Sequence, residues 1–161
     1  MSAVRHASSN NRAAVRKEFD MQIGVDSARA VENKRVFVID SDDVTGMALQ
    51  FMLADEMETH VFADTEAALA TAPRAMPDLV LLGAALLAHA AGHPVSQIKH
   101  AMPNARVLVV CLDAEDACVR QALAQGADGT LLRPLKIEAV RRQVDAQLGR
   151  RSPLHIPVVQ G

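Results

Sequence analysis

Five short apolar runs, each followed by a stretch with helical spacing of apolar residues, make up the chain from Lys34 to Leu148. The runs are rich in Val, Ile and Leu and are bounded mostly by charged residues or glycine, which is typical of strands buried on both faces. They predict strands over RVFVI (35–39), THVFA (59–63), DLVLL (78–82), RVLVVCL (106–112) and GTLL (129–132).

Apolar residues at spacings of three and four predict a helix after each strand. In the first helix, Val44, Met47, Ala48 and Phe51 share one face. The second helix is short and alanine-rich, and the fourth is predicted to be capped by Asp113. The later helices are marked by Val95, Ile98 and Met102, by Val119 and Leu123, and by Ile137, Val140, Val144 and Leu148.

Strands that alternate with helices favour a parallel sheet, because each crossover helix packs back onto the sheet that it leaves. The predicted fold is therefore an α/β, doubly wound, five-stranded parallel sheet with five helices on its two faces. Functional sites of such sheets lie at the carboxyl ends of the strands. The residues at those ends are Asp40, Gly83, Cys111 and Arg133.

The two ends of the chain differ from this repeating pattern. Residues 1–33 are polar and mixed in charge, and they are predicted to be a flexible N-terminal extension with one candidate helix around Ala13–Met21. Residues 34–148 form the predicted domain. Residues 149–161 are predicted to be a C-terminal tail or a linker.

Composition narrows the classes of partner. The formal net charge of −2 gives no reason to expect nucleic acid or an anionic membrane, and the absence of Trp and Tyr removes the aromatic surface on which bases stack. No segment approaches the ~20 apolar residues of a membrane helix, and the N-terminus lacks the apolar core of a signal peptide. Cys111 and Cys118 form neither a CxxC pair nor a disulfide framework, which favours the reducing cytoplasm.

Three other constellations are weak as chemical or binding sites. His89, His93 and His100 suggest a metal site, but Gly92 and Pro94 break the helix that would align them, so surface histidines are favoured. The two cysteines are interpreted as small apolar packing residues rather than nucleophiles. An arginine cluster is interleaved with acids, which favours a solvated face or a protein contact over nucleic acid; it comprises Arg141, Arg142, Arg150 and Arg151 with Glu138 and Asp145.

Three segments of the domain resemble the receiver domain of two-component response regulators. They are VFVIDSDD (36–43), PDLVLL (77–82) and QGADGTLLRP (125–134). The third is the most specific, since a Gly-Ala-x-Gly turn, a short strand and a basic residue before proline are a signature of that family. The interval from Cys111 to Arg133 also equals the family's interval from switch threonine to invariant lysine. The resemblance implies a CheY-like, flavodoxin-like sheet of order 2-1-3-4-5 and a cis Arg133–Pro134 bond.

The resemblance also implies a catalytic set, from which this chain departs. In the family, two acidic residues after the first strand and a phosphoacceptor aspartate after the third bind Mg²⁺, a hard cation that prefers oxygen ligands. Here Asp40 holds the first acidic position, Ser41 stands where the direct metal ligand is expected, and Gly83 stands at the acceptor position. Asp42 and Asp43 follow and are only partial substitutes.

Three further family positions carry different chemistry in this chain. Cys111 replaces the hydroxyl residue that contacts the phosphoryl group, and Thr130 replaces the switch aromatic residue. Arg133 replaces the invariant lysine, which keeps the charge but carries it on a planar guanidinium. Together these departures predict a degenerate pseudo-receiver that is not an enzyme and that requires no metal ion or cofactor.

Arg133 has a specific predicted role in such a site. With glycine at position 83, its guanidinium is expected to pair with Asp40 or Asp42 in a charge-assisted, bidentate geometry. The hypothesis is a conformation that is locked without a phosphoryl group, and it requires Arg133 to lie within about 4 Å of one of those carboxylates. The opposite expectation is that the site residues are unconstrained remnants.

Because the residues for phosphoryl transfer are missing, the predicted function is protein–protein contact. The resemblance implies a protein partner, and we expect self-association as a homodimer through the face of the fourth helix, fifth strand and fifth helix, with no nucleic acid and no membrane insertion. The exposed positions expected on that face are Glu115, Asp116, Arg120 and Gln121, followed by Glu138, Arg141, Arg142 and Asp145.

Two other functions stay open at this point. The domain also resembles the atypical receiver that fronts the localisation ATPases of Flp/Tad pilus assembly, although these 161 residues contain no P-loop. Alternatively, the chain is a genuine response regulator that is phosphorylated on Asp42 or Asp43.

Overall fold

The structure, a computed structural model, describes residues 33–88 and 92–149. The predicted extension up to residue 32, the candidate helix around Ala13–Met21, His89 and the tail beyond Gly149 lie outside the described residues. In the described ranges, no helix is long and apolar enough to cross a lipid bilayer.

Strands and helices alternate along the described chain. The strands are β1 (Arg35–Ile39), β2 (Glu58–Phe62), β3 (Leu79–Gly83), β4 (Arg106–Cys111) and β5 (Gly129–Leu132). The helices are α1 (Asp43–Leu53), α2 (Thr65–Thr71), α3 (Ala85–Ala88), α4 (Pro94–Ala101), α5 (Ala117–Ala124) and α6 (Ile137–Leu148).

The five strands form one parallel sheet in the order β2-β1-β3-β4-β5, which confirms the predicted topology. The register pairs Ile39 with Leu82, Gly83 with Val110 and Cys111 with Leu132. Because all five strands point the same way, their last residues meet at one edge of the sheet. The residues that follow β1, β3, β4 and β5 are therefore neighbours in space.

The core consists of two apolar layers, one on each face of the sheet. Side chains alternate along β1, so that Phe37 and Ile39 join the layer under α2, α4 and α5. Val36 and Val38 point the other way, into the layer under α1 and α6. All four side chains are fully buried, as expected for a strand in the middle of a doubly covered sheet.

Two details of the helices differ from the prediction. The described residues contain six helices instead of the predicted five, because the segment between β3 and α4 includes the one-turn helix α3, where Ala-Leu-Leu-Ala is a run of strong helix formers. The helix after β4 begins at Ala117 and is capped by Asp116, whose Oδ1 accepts from the Cys118 N–H at 2.8 Å. The predicted cap, Asp113, instead accepts from the Glu115 N–H within the preceding loop.

The apolar face that the spacing identifies on α1 points to solvent. Val44, Met47 and Phe51 have exposed fractions of 73%, 64% and 80%. The face that packs on the sheet is a second apolar one, with Leu49 and Leu53 fully buried. Since α1 is apolar on both sides, the spacing of its residues does not indicate which side is the inner one.

Candidate functional site

The carboxyl edge of the sheet brings together most of the predicted site residues. Asp40 and Ser41 follow β1, Gly83 ends β3 and Cys111 ends β4. Arg133 follows β5, and the bond between Arg133 and Pro134 is cis, as predicted. Thr130 lies three residues before Arg133, inside β5, and is half-buried.

Asp40 occupies the space that a side chain at position 83 would need. Its side chain is buried, and its Oδ1 accepts from the Asp42 N–H at 2.9 Å. A Cβ atom added to Gly83 would lie 2.6 Å from the Asp40 Cγ and would overlap its carboxylate. The Gly83 φ angle is not positive, so glycine is favoured here by the space that the Asp40 carboxylate takes and not by backbone conformation.

Arg133 connects the loop after β5 to the start of α1. One of its terminal nitrogens donates to the Thr45 hydroxyl at 3.0 Å, and the Thr45 hydroxyl donates to Asp42 Oδ2 at 2.7 Å. The same guanidinium nitrogen lies 3.8 Å from Asp40 Oδ2. Arg133 therefore faces the two carboxylates, as hypothesised, but through one long ion pair and a threonine bridge instead of a bidentate contact.

Thr45 is the member of this network that the sequence analysis missed. It is buried, with 4% of its surface exposed, and it accepts from a cation while donating to an anion. Its position in the sequence could have indicated this role. Thr45 lies three residues after Asp42, the N-cap of α1, and a side chain at that spacing can reach back to the cap.

The Asp42 carboxylate is stabilised in its charged form. The hydrogen bond from the Thr45 hydroxyl lowers the pKa of Asp42 below its ordinary value, and the N–H groups of Val44 and Thr45 and the charge of Arg133 act in the same direction. Asp42 is thus already engaged as a helix cap and as the acceptor of Thr45, which leaves it poorly placed to serve as a metal ligand.

The arrangement does not fit the Mg²⁺ ion that the fold family implies. A hard cation needs several free oxygen ligands, and both carboxylates here are bound to donors of the chain. Gly83 supplies no oxygen from a side chain. Among the described residues, no three of the His, Cys, Asp and Glu side chains lie close enough to hold a metal ion. We therefore derive no chemical step through a metal at this site.

Cys111 is a packing residue of the sheet. It is 3% exposed, and burial raises the pKa of its thiol, with Asp113 and Asp116 adding to the effect. A cavity of about 270 Å³ lies beside it. The polar side chains in its lining are Asp113 and Asp116, next to Cys111 and Cys118, and the lining contains no lysine or arginine. Such a cavity offers nothing to neutralise a phosphoryl group.

The predicted interaction residues fall into two groups. Glu115, Asp116, Arg120, Gln121, Glu138 and Arg142 are exposed. Glu115 and Asp116 lie in the loop before α5 and not on the helix.

Arg141 and Asp145 depart from the expected surface. Arg141 donates to the Met52 carbonyl oxygen at 3.0 Å and to both Asp55 oxygens, at 2.9 and 3.1 Å, so it ties α6 to the end of α1. Asp145 is half-buried. Both residues are half-buried, so a partner has less access to them than to the exposed positions.

Of the three histidines that the sequence suggested as a metal site, the structure describes His93 and His100, and these two do not form a site. His93 precedes α4, and its Nδ1 lies 2.9 Å from the Gln125 side-chain nitrogen. His100 lies in the last turn of α4.

Comparison with known proteins gives a family and a fold. A protein-family model described as the response regulator receiver domain matches residues 36–145. The chain is similar to a response regulator from Thermotoga maritima, at 18% identity and a TM-score of 0.63 over 73% of this chain and 98% of that one. It is also similar to a two-component response regulator from Clostridium difficile, at 22% identity and a TM-score of 0.65 with the same coverage.

A third similar structure is the chemotaxis response regulator CheY4 of Vibrio cholerae, at 19% identity and a TM-score of 0.64 over 71% of this chain and 98% of that one. At such low identities these structures show the shared fold alone. No protein with a curated description matches the chain in sequence.

A double-mutant cycle tests whether Asp40 fills the acceptor space. Gly83→Ala should lower the free energy of unfolding by about 1–3 kcal/mol, because the added methyl group overlaps the buried carboxylate. In the Asp40→Ala background the same substitution should cost less than about half as much, since the overlapping atoms are gone. Urea denaturation of the four proteins measures both values. Equal costs in the two backgrounds would show that the two residues do not compete for space.

The threonine bridge is tested through the titration of Asp42. A carboxylate whose folded-state pKa is lowered contributes stability above its unfolded pKa and loses that contribution as the pH falls through the folded pKa. Thr45→Val removes the main hydrogen bond, so the pKa of Asp42 should rise toward its ordinary value and this acid-sensitive contribution should shrink. Carboxyl NMR titration reads the pKa directly. Thr71→Val, which removes a hydroxyl elsewhere, is the matched control and should leave Asp42 unchanged.

Proposed function

The chain belongs to the response regulator receiver family, and from that premise we propose that it is a pseudo-receiver that works in signal transduction by protein contact, without phosphorylation. Receiver domains are signalling modules that bind other proteins. A receiver fold that has lost phosphoryl chemistry can therefore still act by binding a protein. The observation that carries the proposal is the position of Asp40, which fills the space of an acceptor side chain at Gly83.

The charge network supports a locked conformation as the mechanism. The guanidinium of Arg133 reaches both Thr45 and Asp40, and Thr45 reaches Asp42. A cation of the chain thus stands among the carboxylates where a phosphorylated receiver would gather a metal ion and a phosphoryl group. Because Arg133 belongs to the chain and keeps its charge at all ordinary pH values, this tie between the loop after β5 and α1 needs no phosphoryl group.

The surface of α5, β5 and α6 is the proposed site of self-association. These elements correspond to the predicted fourth helix, fifth strand and fifth helix. Arg120, Glu138 and Arg142 are exposed there, and Leu132 at the end of β5 is 50% exposed. Charges of both signs around an exposed leucine suit a two-fold interface, in which the same patch of each copy meets the other.

The proposal includes a location and a domain organisation. Both cysteines are free thiols, which suits the cytoplasm. Residues 34–148 are proposed as the functional domain, with residues 1–33 as an extension and 149–161 as a tail or linker. A role in the localisation of pilus-assembly machinery is a more specific form of the same proposal, because it too needs a receiver domain that binds a protein.

Treatment with a small phosphodonor and Mg²⁺ tests the loss of chemistry. We expect the mass of the intact protein to stay unchanged, because position 83 lacks a carboxylate and the Asp40 and Asp42 carboxylates already accept hydrogen bonds from the chain. A stable phosphoryl adduct on an aspartate would contradict the proposal. If the adduct then disappeared in Asp42→Asn or Asp43→Asn, the chain would be a genuine response regulator with a substitute acceptor.

Light scattering tests the proposed homodimer. The full chain should have twice its 17.3 kDa mass, and Leu132→Glu should return it to the monomer by placing a charge in the apolar part of the interface. Met76→Glu is the matched control, because Met76 is similarly exposed, at 45%, and lies outside α5, β5 and α6. A monomeric parent protein, or equal effects of both substitutions, would contradict self-association through this face.

A further inference from the structure

A cavity of about 270 Å³ opens at the carboxyl edge of the sheet, between the segment around α3 and the loop that leads from β4 into α5. Ala84, Ala85 and Ala88 contribute apolar surface from the first segment, and Leu112 and Val119 contribute it from the second. Among the described residues, the only charged members of the lining are two aspartates of the loop. An apolar cavity with a few polar groups is the usual composition of a binding site.

The two aspartates, Asp113 and Asp116, each have one oxygen committed to the backbone. Both residues are exposed. Asp113 Oδ1 accepts from the Glu115 N–H at 2.9 Å, and Asp116 Oδ1 accepts from the Cys118 N–H at 2.8 Å. These hydrogen bonds hold the carboxylates in the loop beside the cavity, and they leave the second oxygen of each aspartate as an acceptor for a ligand.

Negative charge dominates the cavity. Burial is the main cause that raises the pKa of the Cys111 thiol in its lining, and the charges of Asp113 and Asp116 raise that pKa further. Arg133 acts in the opposite direction but is not part of the lining. The N-terminus of α5 contributes a positive charge of only about +0.5. Two full negative charges outweigh it, so a cation is the favoured occupant.

The size of the cavity favours one side chain over a larger ligand. Pockets for cofactors and drug-sized molecules usually measure about 300–1,000 Å³, and this cavity is smaller. A lysine side chain has an apolar stem that lies along apolar surface and a charged end that stays at the water boundary. An arginine fork prefers both oxygens of one carboxylate, whereas each aspartate here has one oxygen left. Lysine is therefore the better match.

We propose that this cavity is a docking site for a lysine side chain of a partner protein, with the alkyl stem against the three alanines and the ammonium group between Asp113 and Asp116. Leu112, which is 79% exposed, offers apolar contact to the residues that flank this lysine. An exposed ion pair contributes little by itself, so the apolar contacts supply affinity and the carboxylates supply selectivity. This site adds a second binding surface to the proposed function, and it holds whether or not the chain is a homodimer.

A second copy of the chain is a poorer source of the lysine. Of the lysines that the structure describes, Lys34 is half-buried and Lys99 is paired with Asp128. Lys136 is exposed, but it follows β5 at the same carboxyl edge as the cavity. Its insertion into a second copy in a two-fold contact would bring two acidic edges together, at a cost in like-charge repulsion. The exposed acids of that edge are Asp42, Asp43, Asp113, Glu115 and Asp116.

NMR titration of the isotopically labelled full chain with designed peptides tests the proposal. The probe is a capped pentapeptide, Ala-Leu-Lys-Leu-Ala. Its counterpart has norleucine in place of lysine, which keeps the apolar stem and removes the charge. We expect the lysine peptide to shift the amide resonances of residues 84–88 and 111–119, and the norleucine peptide to bind at least about fivefold more weakly.

Variants of the full chain locate the binding. The double variant Asp113→Asn and Asp116→Asn removes both charges and keeps an oxygen for each backbone N–H, so the fold should persist, which circular dichroism checks. It should bind the lysine peptide no better than the norleucine peptide. Ala88→Leu fills the cavity without a change of charge and should weaken the binding of both peptides. Glu66→Gln removes an exposed charge on α2 and, as the matched control, should bind like the parent.

Several outcomes would overturn the proposal. Absence of shifts with the lysine peptide, or equal binding of the two peptides by the parent, would show that the cavity does not recognise a lysine. Parent-like binding by the double variant or by Ala88→Leu would place the contact elsewhere. Binding of n-butylammonium as tightly as the lysine peptide would assign the cavity to a free amine. Loss of self-association in the double variant, measured by light scattering, would assign it to a second copy.

Discussion

The position of the Asp40 carboxylate determines the rest of the site. It is buried at the end of the central strand β1, and it lies over the Cα atom of Gly83, where any larger residue would collide with it. A buried carboxylate needs a donor or a cation nearby, because an unpaired charge away from water is costly. The Asp42 N–H and the guanidinium of Arg133 meet that need. Glycine at 83 and arginine at 133 are thus two parts of one arrangement.

On the proposed function, the same arrangement explains how the scaffold is kept while the phosphoryl chemistry is lost. The strand order matches that of the receiver fold, because the two apolar layers, and not the groups at the carboxyl edge, hold the sheet together. At the carboxyl edge, hydrogen bonds between side chains have replaced open ligand positions. The link from Arg133 through Thr45 to Asp42 also ties the loop after β5 to the start of α1, while Arg141 and Asp55 tie α6 to the end of α1.

The fold was predictable because its signals are local and redundant. Buried runs such as Val36–Ile39 are apolar without interruption, and parallel strands place Asp40, Gly83, Cys111 and Arg133 at one edge whatever the details of the loops. The orientation of α1 was not predictable, since Val44 and Leu49 are equally apolar and only the packed structure distinguishes their sides. The bridging role of Thr45 also depends on the rotamer of a residue 88 positions away in sequence, which no local pattern encodes.

Under the proposed function, the carboxyl edge is already closed and does not respond to a phosphoryl group. Amide NMR spectra of the full chain, recorded before and after addition of beryllofluoride with Mg²⁺ as a stand-in for that group, measure this most directly. The account predicts unchanged resonances for Asp40, Gly83, Cys111 and Arg133, because neither an acceptor carboxylate nor a free ligand set is present. Saturable shifts centred on those residues would show a working site and would contradict the account.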